Sequence, residues 1–491
     1  MKMLLKSVLV AMSIALAMSI VSCQKDNTDD PAKTPAKYTI MLYGCGGGNV
    51  DSQLEDALDG AVEALGVDNN QVNYTVMYSM SAKASKEDFP ATYRGEKGKT
   101  YRYVLSKDTD LSQAGYRSKY FYKKASEVEL YKASTLADFI RWSMENAPAE
   151  NYILELVNHG GGFDLATEVL TKGIGYDDNQ KVDGYAKGVA IATIAEALKE
   201  TNVHLKAIYW NGCMMGQLEV LTEVAPYCDY QFSSSHVAYA RDLHVVALID
   251  ALNAQPNDFE AAALAHKKII EGKGKDDSNS ILYNFAHAVN AQTQEPTKVN
   301  GDFGCWRSNR VAAINEQVKK LGALLTEVYP TEEGKVSINY ATSWVYLYEL
   351  DYGYSDVLDY AQKVADALEE GEAKTKAQTI AADMKKAIAD ANVYRINAPF
   401  ILDAEGRTVA TKEGTFSLGI SLYAGKDKSD YLYSDPETDY RNRYKASAFD
   451  KAVGWSKWLD MNEFRVSSDD EHPNVTNPGN DSTWELFWLD Y

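Results

Sequence analysis

Two hydrophobic runs, each ending in a glycine-containing turn, constrain the fold of this chain more than any other feature. The run at 152–158 leads into His159-Gly160-Gly161-Gly162, and the run at 203–210 leads into Asn211-Gly212-Cys213-Met214-Met215-Gly216. Residues 189–198, between them, have the apolar spacing of a helix, which predicts a parallel strand–helix–strand unit. Both turns should then lie at the carboxyl edge of the sheet, where α/β folds build their sites.

The imidazole of His159 and the thiol of Cys213 would emerge side by side at that edge. A thiol beside an imidazole can form a nucleophilic pair, and the glycines leave backbone N–H groups free to bind an oxyanion. Taken singly, a histidine after a strand or a cysteine in the core is more often structural. Their joint placement beside glycines favours catalysis.

The chain before these turns predicts the opening of a doubly wound sheet. Residues 38–43 predict a strand, glycines follow at 44–48, and apolar residues recur with helical spacing from Leu54 to Leu65. Glycine turns before helices also bind phosphates. The spacing here matches neither the dinucleotide-binding fingerprint nor a P-loop, so a nucleotide site is disfavoured.

Further elements continue the α/β pattern. We predict strands at 72–78, 100–105 and 230–235 and helices at 135–144 and 217–224. The polar, glycine-rich stretch 171–188 predicts an exposed loop. Beyond residue 253 we predict helices at 318–328, 360–368 and 374–391, followed by a strand-rich region at 394–423.

The first residues predict an exported protein. A short basic start precedes an apolar stretch at 7–21 that is too short to span a bilayer comfortably. It ends in Ser22-Cys23, which resembles the lipobox of bacterial lipoproteins, where cleavage leaves the cysteine as the lipid-attachment residue. An ordinary signal peptide is the alternative. The polar run 24–37 favours an outer-membrane lipoprotein on a flexible tether, facing the periplasm or the cell surface.

Charge and cysteine content disfavour several classes of function. With 70 acidic and 50 basic residues, the net charge of −20 argues against nucleic acid as a partner. Four cysteines besides Cys23 are too few for a disulfide scaffold in a chain of 491 residues. The histidines other than His159 show no metal-ligand spacing, so a structural zinc site is not expected.

These blocks together resemble the clostripain family of cysteine peptidases, which belongs to a caspase-like group with legumains and gingipains. The resemblance rests on the His159 block, the Cys213 block and the Pro-Ala-Glu-Asn-Tyr segment at 148–152. It extends over nearly the whole mature chain, to 348–351, 419–423 and 449–458.

The resemblance implies a caspase-like α/β/α sandwich with a mostly parallel central sheet and a mixed α+β C-terminal extension. It divides the chain into a signal peptide (1–22), a lipid-anchored tether (23–37), a catalytic domain (38–252) and an extension packed on that core (253–491).

The resemblance also implies an endopeptidase with a His/Cys dyad, acting on peptide or protein substrates. Cys213 is then the nucleophile, and His159 is the general acid for the leaving amine. The backbone N–H groups of Gly160 and Cys213 form the oxyanion hole. A strand end followed by a helix N-terminus lowers the pKa of a thiol, which suits this role. No third acidic residue can be assigned.

One departure from the family concerns specificity. Most relatives carry Asp two residues before the cysteine, where its carboxylate helps to select Arg or Lys, and this chain has Asn211. The lost charge weakens recognition of a guanidinium unless Asp229, Asp242 or another acid replaces it. The segment 235–239 also departs from the family pattern. Both changes leave an alternative function open, an inactive relative that binds peptides or proteins at the envelope.

Two further properties are implied by the resemblance. Relatives often cut themselves at a basic residue between the two blocks, and some need calcium. The predicted loop offers basic residues for such a cut, namely Lys172, Lys181 and Lys187. It also offers oxygen ligands for calcium, namely Asp177, Asp178 and Asn179.

Overall fold

The computed structural model describes most of the chain between residues 35 and 462. The described residues are 35–46, 51–66, 71–82, 94–163, 173–182, 185–236, 243–272, 281, 301–343, 345, 347–349, 353–397, 401–402, 408–409, 419–424 and 440–462. Cys23, Lys172 and Asp242 lie outside them, as do the predicted signal peptide and nearly all of the tether. The predictions for those residues stay predictions. No helix among the described residues combines the length and apolar character needed to cross a membrane.

The strands are numbered in chain order. Those in the described part of the chain are β1 (Ala36–Gly44), β2 (Val72–Ser79), β3 (Lys99–Leu105), β4 (Phe121–Lys124), β5 (Ala149–Val157), β6 (Ile174–Val182), β7 (Tyr185–Val189), β8 (Leu205–Asn211), β9 (Cys228–Ser233), β10 (Asp302–Arg307), β11 (Leu347–Glu349), β12 (Tyr354–Asp356), β13 (Asn392–Asn397), β14 (Ile401–Leu402), β15 (Thr408–Val409) and β16 (Ser421–Tyr423).

The helices are numbered in the same way. Those that the structure describes are α1 (Asp51–Gly66), α2 (Gln113–Lys119), α3 (Ala133–Asn146), α4 (Ile191–Thr201), α5 (Leu218–Val224), α6 (Leu243–Ala254), α7 (Phe259–Glu271), α8 (Val311–Val328), α9 (Glu332–Ser343), α10 (Val357–Ala367), α11 (Glu372–Ala391), α12 (Tyr440–Ala446), α13 (Ala448–Val453) and α14 (Ser456–Met461).

A large mixed sheet forms the middle layer. Among the described residues it has nine strands in the order β13-β10-β9-β8-β5-β1-β2-β3-β4. The five central strands, β9 to β2, run parallel. Two further strands are added by antiparallel pairing on each side, β10 and β13 next to β9, and β3 and β4 next to β2. The parallel β5–α4–β8 unit confirms the prediction made from the two hydrophobic runs.

Helices cover both faces of this sheet, because its central strands are apolar on both sides. Along β1, Met41 and Tyr43 contribute to one core and Ile40 and Leu42 to the other. Helices α3, α4 and α5 pack in the first core. Helices α1, α6 and α7 pack in the second. The predicted α/β/α sandwich is therefore confirmed.

The predicted exposed loop at 171–188 was wrong for its described part, which is the β6–β7 hairpin. Hydrogen bonds attach this hairpin to its neighbours, so its sequence does not need the alternating apolar residues that usually mark a strand. Gly161 N donates to Gly173 O at 2.8 Å, and Asp178 N donates to Gly46 O at 2.8 Å. The amide of Gln180 donates to Ala125 O at 3.0 Å. Hydropathy patterns do not register bonds of this kind.

The sheet continues beyond the predicted boundary at residue 252. Strands β10 and β13 both follow that boundary in sequence, and β10 pairs with β9 inside the large sheet. A smaller sheet, β11-β12-β16, is formed from the same half of the chain. The division into domains 38–252 and 253–491 stays a prediction.

Candidate active site

The two turns begin side by side at the carboxyl edge of the sheet. Val157, the last residue of β5, pairs with Asn211, the last residue of β8. One residue further on, Asn158 N donates to Asn211 O at 3.3 Å. The turns that carry His159 and Cys213 therefore leave adjacent parallel strands at the same level.

The two turns also touch, backbone against backbone. A Cβ placed on Gly160 would lie 2.1 Å from the carbonyl oxygen of Cys213 and 2.7 Å from its nitrogen. A Cβ placed on Gly212 would lie 2.8 Å from Asn158 O. Only glycine fits at such distances, so the glycines noted in the sequence allow the blocks to meet.

His159 is half-buried and is held through its backbone. Its carbonyl accepts a hydrogen bond from Gly175 N at 3.0 Å. Its N–H donates to the side-chain oxygen of Asn158. Burial disfavours the charged imidazolium and lowers the pKa of His159 to about 4. The imidazole is therefore neutral near pH 7 and able to accept a proton.

Asn158 links three segments around His159, and its role was not anticipated. Its side-chain amide donates to Cys45 O, after β1, at 2.7 Å. Its side-chain oxygen accepts Tyr176 N, in β6, at 3.3 Å. Its φ of 152° is unusual for a residue other than glycine. Its position directly before His159 was the only signal in the sequence.

Cys213 lies in a loop that docks on a neighbouring segment. The residue is buried, with 5% of its surface exposed. Met214 N donates to His236 O at 3.0 Å, and Gly216 N donates to Ser234 O at 2.7 Å. Met214 has a left-handed φ of 58°, which is strained for a methionine. The four cysteines that the structure describes form no disulfide.

Gln217 joins the two loops directly. Its side-chain oxygen accepts Phe163 N at 2.6 Å. Gly162, with φ of 76°, makes room for it, because a Cβ there would lie 2.2 Å from the Gln217 amide nitrogen. A buried glutamine at the start of a predicted helix carried no sign of this role in the sequence.

A comparison of the whole sequence with known protein families points to the same kind of site. The sequence matches the profile of the clostripain family over residues 49–461, which is most of the chain. The chain belongs to the clostripain family. It is 28% identical to clostripain from Hathewaya histolytica over 203 residues. That match covers 39% of this chain and 36% of clostripain, so it spans about a third of that relative's length.

Two solved structures share the fold of this clostripain-family chain. One is a secreted C11 cysteine protease from Bacteroides thetaiotaomicron, "iotapain", with a TM-score of 0.54 and 13% identity, covering 86% of this chain and 100% of the other. The second is a secreted C11 cysteine protease from the same organism with an irreversible peptide inhibitor, with a TM-score of 0.53 and 15% identity, covering 87% and 99%. At these identities the likeness establishes the caspase-like fold.

Asn211, two residues before Cys213 in this clostripain-family chain, forms a hydrogen bond in the protein interior. Its side-chain amide donates to Glu155 Oε1 at 3.1 Å. The other oxygen of Glu155 accepts the hydroxyl of Tyr74 at 2.6 Å. All three side chains are buried. The neutral amide of Asn211 is therefore in contact with the buried carboxylate of Glu155.

Asp229, one of the other two predicted substrate-binding residues, does not join the site. Asp229 lies at the start of β9, level with the start of β8, so it is at the edge of the sheet opposite Cys213. Its carboxylate accepts Lys206 Nζ at 2.6 Å and contacts His204 Nε2 at 2.8 Å. Asp242 lies outside the described residues.

The three residues considered for calcium do not form a fitting site by themselves. Asp177 Oδ1 accepts both nitrogens of Asn179, and Asn179 Oδ1 accepts Ala82 N. Burial raises the pKa of Asp177 to about 7, which favours a proton rather than a cation. Calcium takes six to eight oxygen ligands. Across the described residues, no group of three or more His, Cys, Asp or Glu side chains could hold a metal ion.

Residues from the C-terminal half close around both loops. Tyr354 donates its hydroxyl to Gly161 O at 2.9 Å. Ser421 N, in β16, donates to Gly216 O at 3.1 Å. Glu219, two residues after Gln217, accepts Tyr423 N at 3.0 Å and the Tyr444 hydroxyl at 2.9 Å. The site is thus supported by segments distant in sequence.

Proposed function

We propose that this clostripain-family protein is a cysteine endopeptidase in which Cys213 and His159 form the catalytic dyad. The observation that supports it best is the backbone contact between Gly160 and Cys213 at the carboxyl edge of two adjacent parallel strands. This contact supports a close approach of the His159 imidazole and the Cys213 thiol, the two groups that nucleophilic catalysis needs, with glycine N–H groups beside them.

The first step would form an acyl-enzyme. Neutral His159 takes the proton of the Cys213 thiol, and the thiolate attacks the carbonyl carbon of the scissile peptide bond. The new carbon–sulfur bond gives a tetrahedral oxyanion, which the backbone N–H groups of Gly160 and Cys213 bind. As the carbon–nitrogen bond breaks, His159 gives its proton to the leaving amine.

The second step would release the acyl group. A water molecule gives a proton to His159 and attacks the thioester carbon. The carbon–sulfur bond then breaks, the product leaves as a carboxylic acid, and Cys213 recovers its proton. The low pKa of His159, about 4, keeps the imidazole neutral at the start of each step.

Peptides and proteins are the substrates that this chemistry suits. The solved C11 protease from Bacteroides thetaiotaomicron with an irreversible peptide inhibitor supports a peptide cleft in this fold. The lipobox-like Ser22-Cys23 supports an exported lipoprotein, cleaved after residue 22 and anchored in the outer membrane through Cys23. Both solved relatives are secreted proteases, which is consistent with export of this chain.

Cleavage of a diverse peptide library by the protein from residue 24 onward, which keeps the whole of β1, tests the proposal. Wild type should cut, and Cys213→Ala should not. Cys228→Ala is the matched control, because Cys228 is also a buried thiol but lies at the opposite edge of the sheet. Each protein is assayed with and without calcium. Peptide binding without any cutting would favour the alternative function, an inactive binding relative.

We further propose that the preference for Arg or Lys at the cleavage site is weak in wild type. Asn211 is neutral, and Glu155 behind it already accepts the Asn211 amide and the Tyr74 hydroxyl. A single Asn211→Asp change would set two carboxylates in contact, so that the pair would hold a proton rather than a full extra charge.

Exchanging the two residues should create the preference. In the double variant Asn211→Asp/Glu155→Gln the hydrogen bond persists with the charge moved to position 211. We expect kcat/KM for an Arg peptide relative to a matched Gln peptide to rise about tenfold over wild type, as for an ion pair of roughly 1.4 kcal/mol. Glu155→Gln alone is the control. Equal Arg preference in wild type and the double variant would contradict the idea.

A further inference from the structure

Asp302 lies in the C-terminal half of the chain, and its buried carboxylate binds residues 234–236, which contact the Cys213 loop. It is the first residue of β10, and only 3% of it is exposed. Its Oδ1 accepts Ser234 Oγ at 3.0 Å, Ser235 N at 3.0 Å and His236 N at 2.8 Å. Its Oδ2 lies 3.1 Å from Ser235 N. Among the described residues it therefore binds backbone and hydroxyl donors rather than a cation.

The segment that Asp302 holds is the one on which the Cys213 loop docks. The carbonyls of Ser234 and His236 accept Gly216 N and Met214 N. The hydroxyl of Ser235 donates to Gly216 O at 3.0 Å. One carboxylate thus fixes three consecutive residues whose backbone orients the residues on the C-terminal side of Cys213.

The bonds are of a kind that resists distortion. A carboxylate that accepts several N–H groups in a buried setting forms charge-assisted hydrogen bonds, which are stronger than neutral ones. Leaving such donors unpaired in the interior is costly, so the 234–236 segment has little freedom while Asp302 is present. The Cys213 loop is bound to it at Met214 and Gly216 and shares this rigidity.

We propose that Asp302 is a positioning residue that sets the geometry of Cys213 through the 234–236 segment. The proposal rests on the proposed function of Cys213 as nucleophile. Asp302 acts through the backbone that it holds and need not touch the substrate. Its loss should therefore lower kcat more than it changes KM, because catalytic geometry is more sensitive to small displacements than binding is.

Asp302→Asn tests this directly. An amide can keep one acceptor, but its NH2 would meet the Ser235 N–H, donor against donor. We expect kcat to fall at least about tenfold with KM within about threefold of wild type, since a displacement of 1 Å can cost about 100-fold. The rate of Cys213 alkylation by iodoacetamide, followed by mass spectrometry of the Cys213 peptide, should fall as well.

Asp450→Asn is the matched control. Asp450 is also a buried carboxylate that holds a serine, accepting Ser456 N at 2.7 Å and Ser456 Oγ at 2.7 Å. If both variants lose the same turnover and the same alkylation rate, the effect is general destabilisation and the proposal is overturned. A loss of both confined to Asp302→Asn supports it.

A milder variant decides the matter if Asp302→Asn does not fold. Ser234→Ala removes one donor to Asp302, together with the bond of the same hydroxyl to His236 O at 3.0 Å, and leaves the carboxylate in place. Slower Cys213 alkylation in this variant supports the positioning role, and wild-type alkylation overturns it. Alkylation needs no peptide substrate. If wild type cleaves no peptide, the proposed function fails while the comparison of alkylation rates still tests Asp302.

Discussion

Replacing Gly160 by alanine is expected to lower kcat/KM for peptide cleavage at least about 100-fold, the range seen when one oxyanion donor is lost. The added Cβ would lie 2.1 Å from Cys213 O and 2.7 Å from Cys213 N. Both are backbone atoms, which cannot rotate away as the end of a flexible side chain can. The two loops must separate, so the proposed dyad and both proposed oxyanion donors shift together.

The measurement is steady-state cleavage of one peptide beside a thermal unfolding curve. Gly66→Ala is the matched control, because its Cβ would meet only the Cβ of Lys107, at an ordinary 3.7 Å, among the described residues. That variant should keep wild-type activity. A Gly160→Ala protein that cuts within about threefold of wild type would show that the contact between the loops is not needed for catalysis.

The core of the fold could be predicted because short stretches of the sequence show the hydrophobic periodicity of their strands and helices. Apolar runs ended by glycine-rich turns, with helical spacing between them, predicted β5, α4 and β8 in order. The parallel crossover then required both turns to lie at one edge of the sheet. The meeting of the His159 and Cys213 blocks followed from these rules alone.

The same rules place Asp229 away from Cys213. That residue precedes the predicted strand at 230–235, so it belongs at the amino edge of a strand parallel to β8. The structure places it there, paired with Lys206 and His204. Proximity in sequence to Cys213 was a poor guide, because α5 carries the chain back across the sheet.

What could not be predicted depends on hydrogen bonds between residues far apart in sequence. Asp302 reaches Ser234 across 68 residues, and Gln217 reaches Phe163 across 54. A polar residue that will be buried with partners looks the same in a sequence as one that will be solvated. The β6–β7 hairpin escaped prediction for the same reason, since polar contacts anchor it.

Glu219→Gln is expected to stabilise the protein at alkaline pH. Glu219 lies on α5 and is fully buried, and its Oε1 accepts Tyr423 N and the Tyr444 hydroxyl. Its Oε2 has no hydrogen-bond partner among the described residues. Burial, with a smaller contribution from the charge of Asp450, raises the pKa of Glu219 from 4.5 to about 7.

The sign of the effect follows from proton binding. Between pH 4.5 and about 7 the folded protein holds a proton on Glu219 that the unfolded chain has released. Stability therefore falls as the pH rises through this window, and above it the buried carboxylate is ionised at full cost. The difference between the two pKa values corresponds to about 3 kcal/mol. Glutamine keeps the acceptor oxygen and cannot ionise.

Urea unfolding of wild type and Glu219→Gln at pH 5 and pH 8 measures this effect. The variant should gain roughly 2–3 kcal/mol relative to wild type between the two pH values, and other titrating groups cancel in the comparison. Glu223→Gln is the control, because Glu223 lies on the same helix and accepts Ala448 N with its carboxylate. An equal change in both variants would show that Glu219 is not the source.

The location gives this carboxyl a bearing on the site as well as on stability. Helix α5 begins directly after the Cys213 loop, and its Glu219 side chain accepts hydrogen bonds from β16 and α12. Ionisation places a buried charge beside the Cys213 loop and lowers the stability of the folded state, whereas the neutral amide of the Glu219→Gln variant avoids this desolvation cost. We therefore expect the variant to retain cleavage activity at pH 8 to higher temperature than wild type, because the support behind the Cys213 loop no longer titrates.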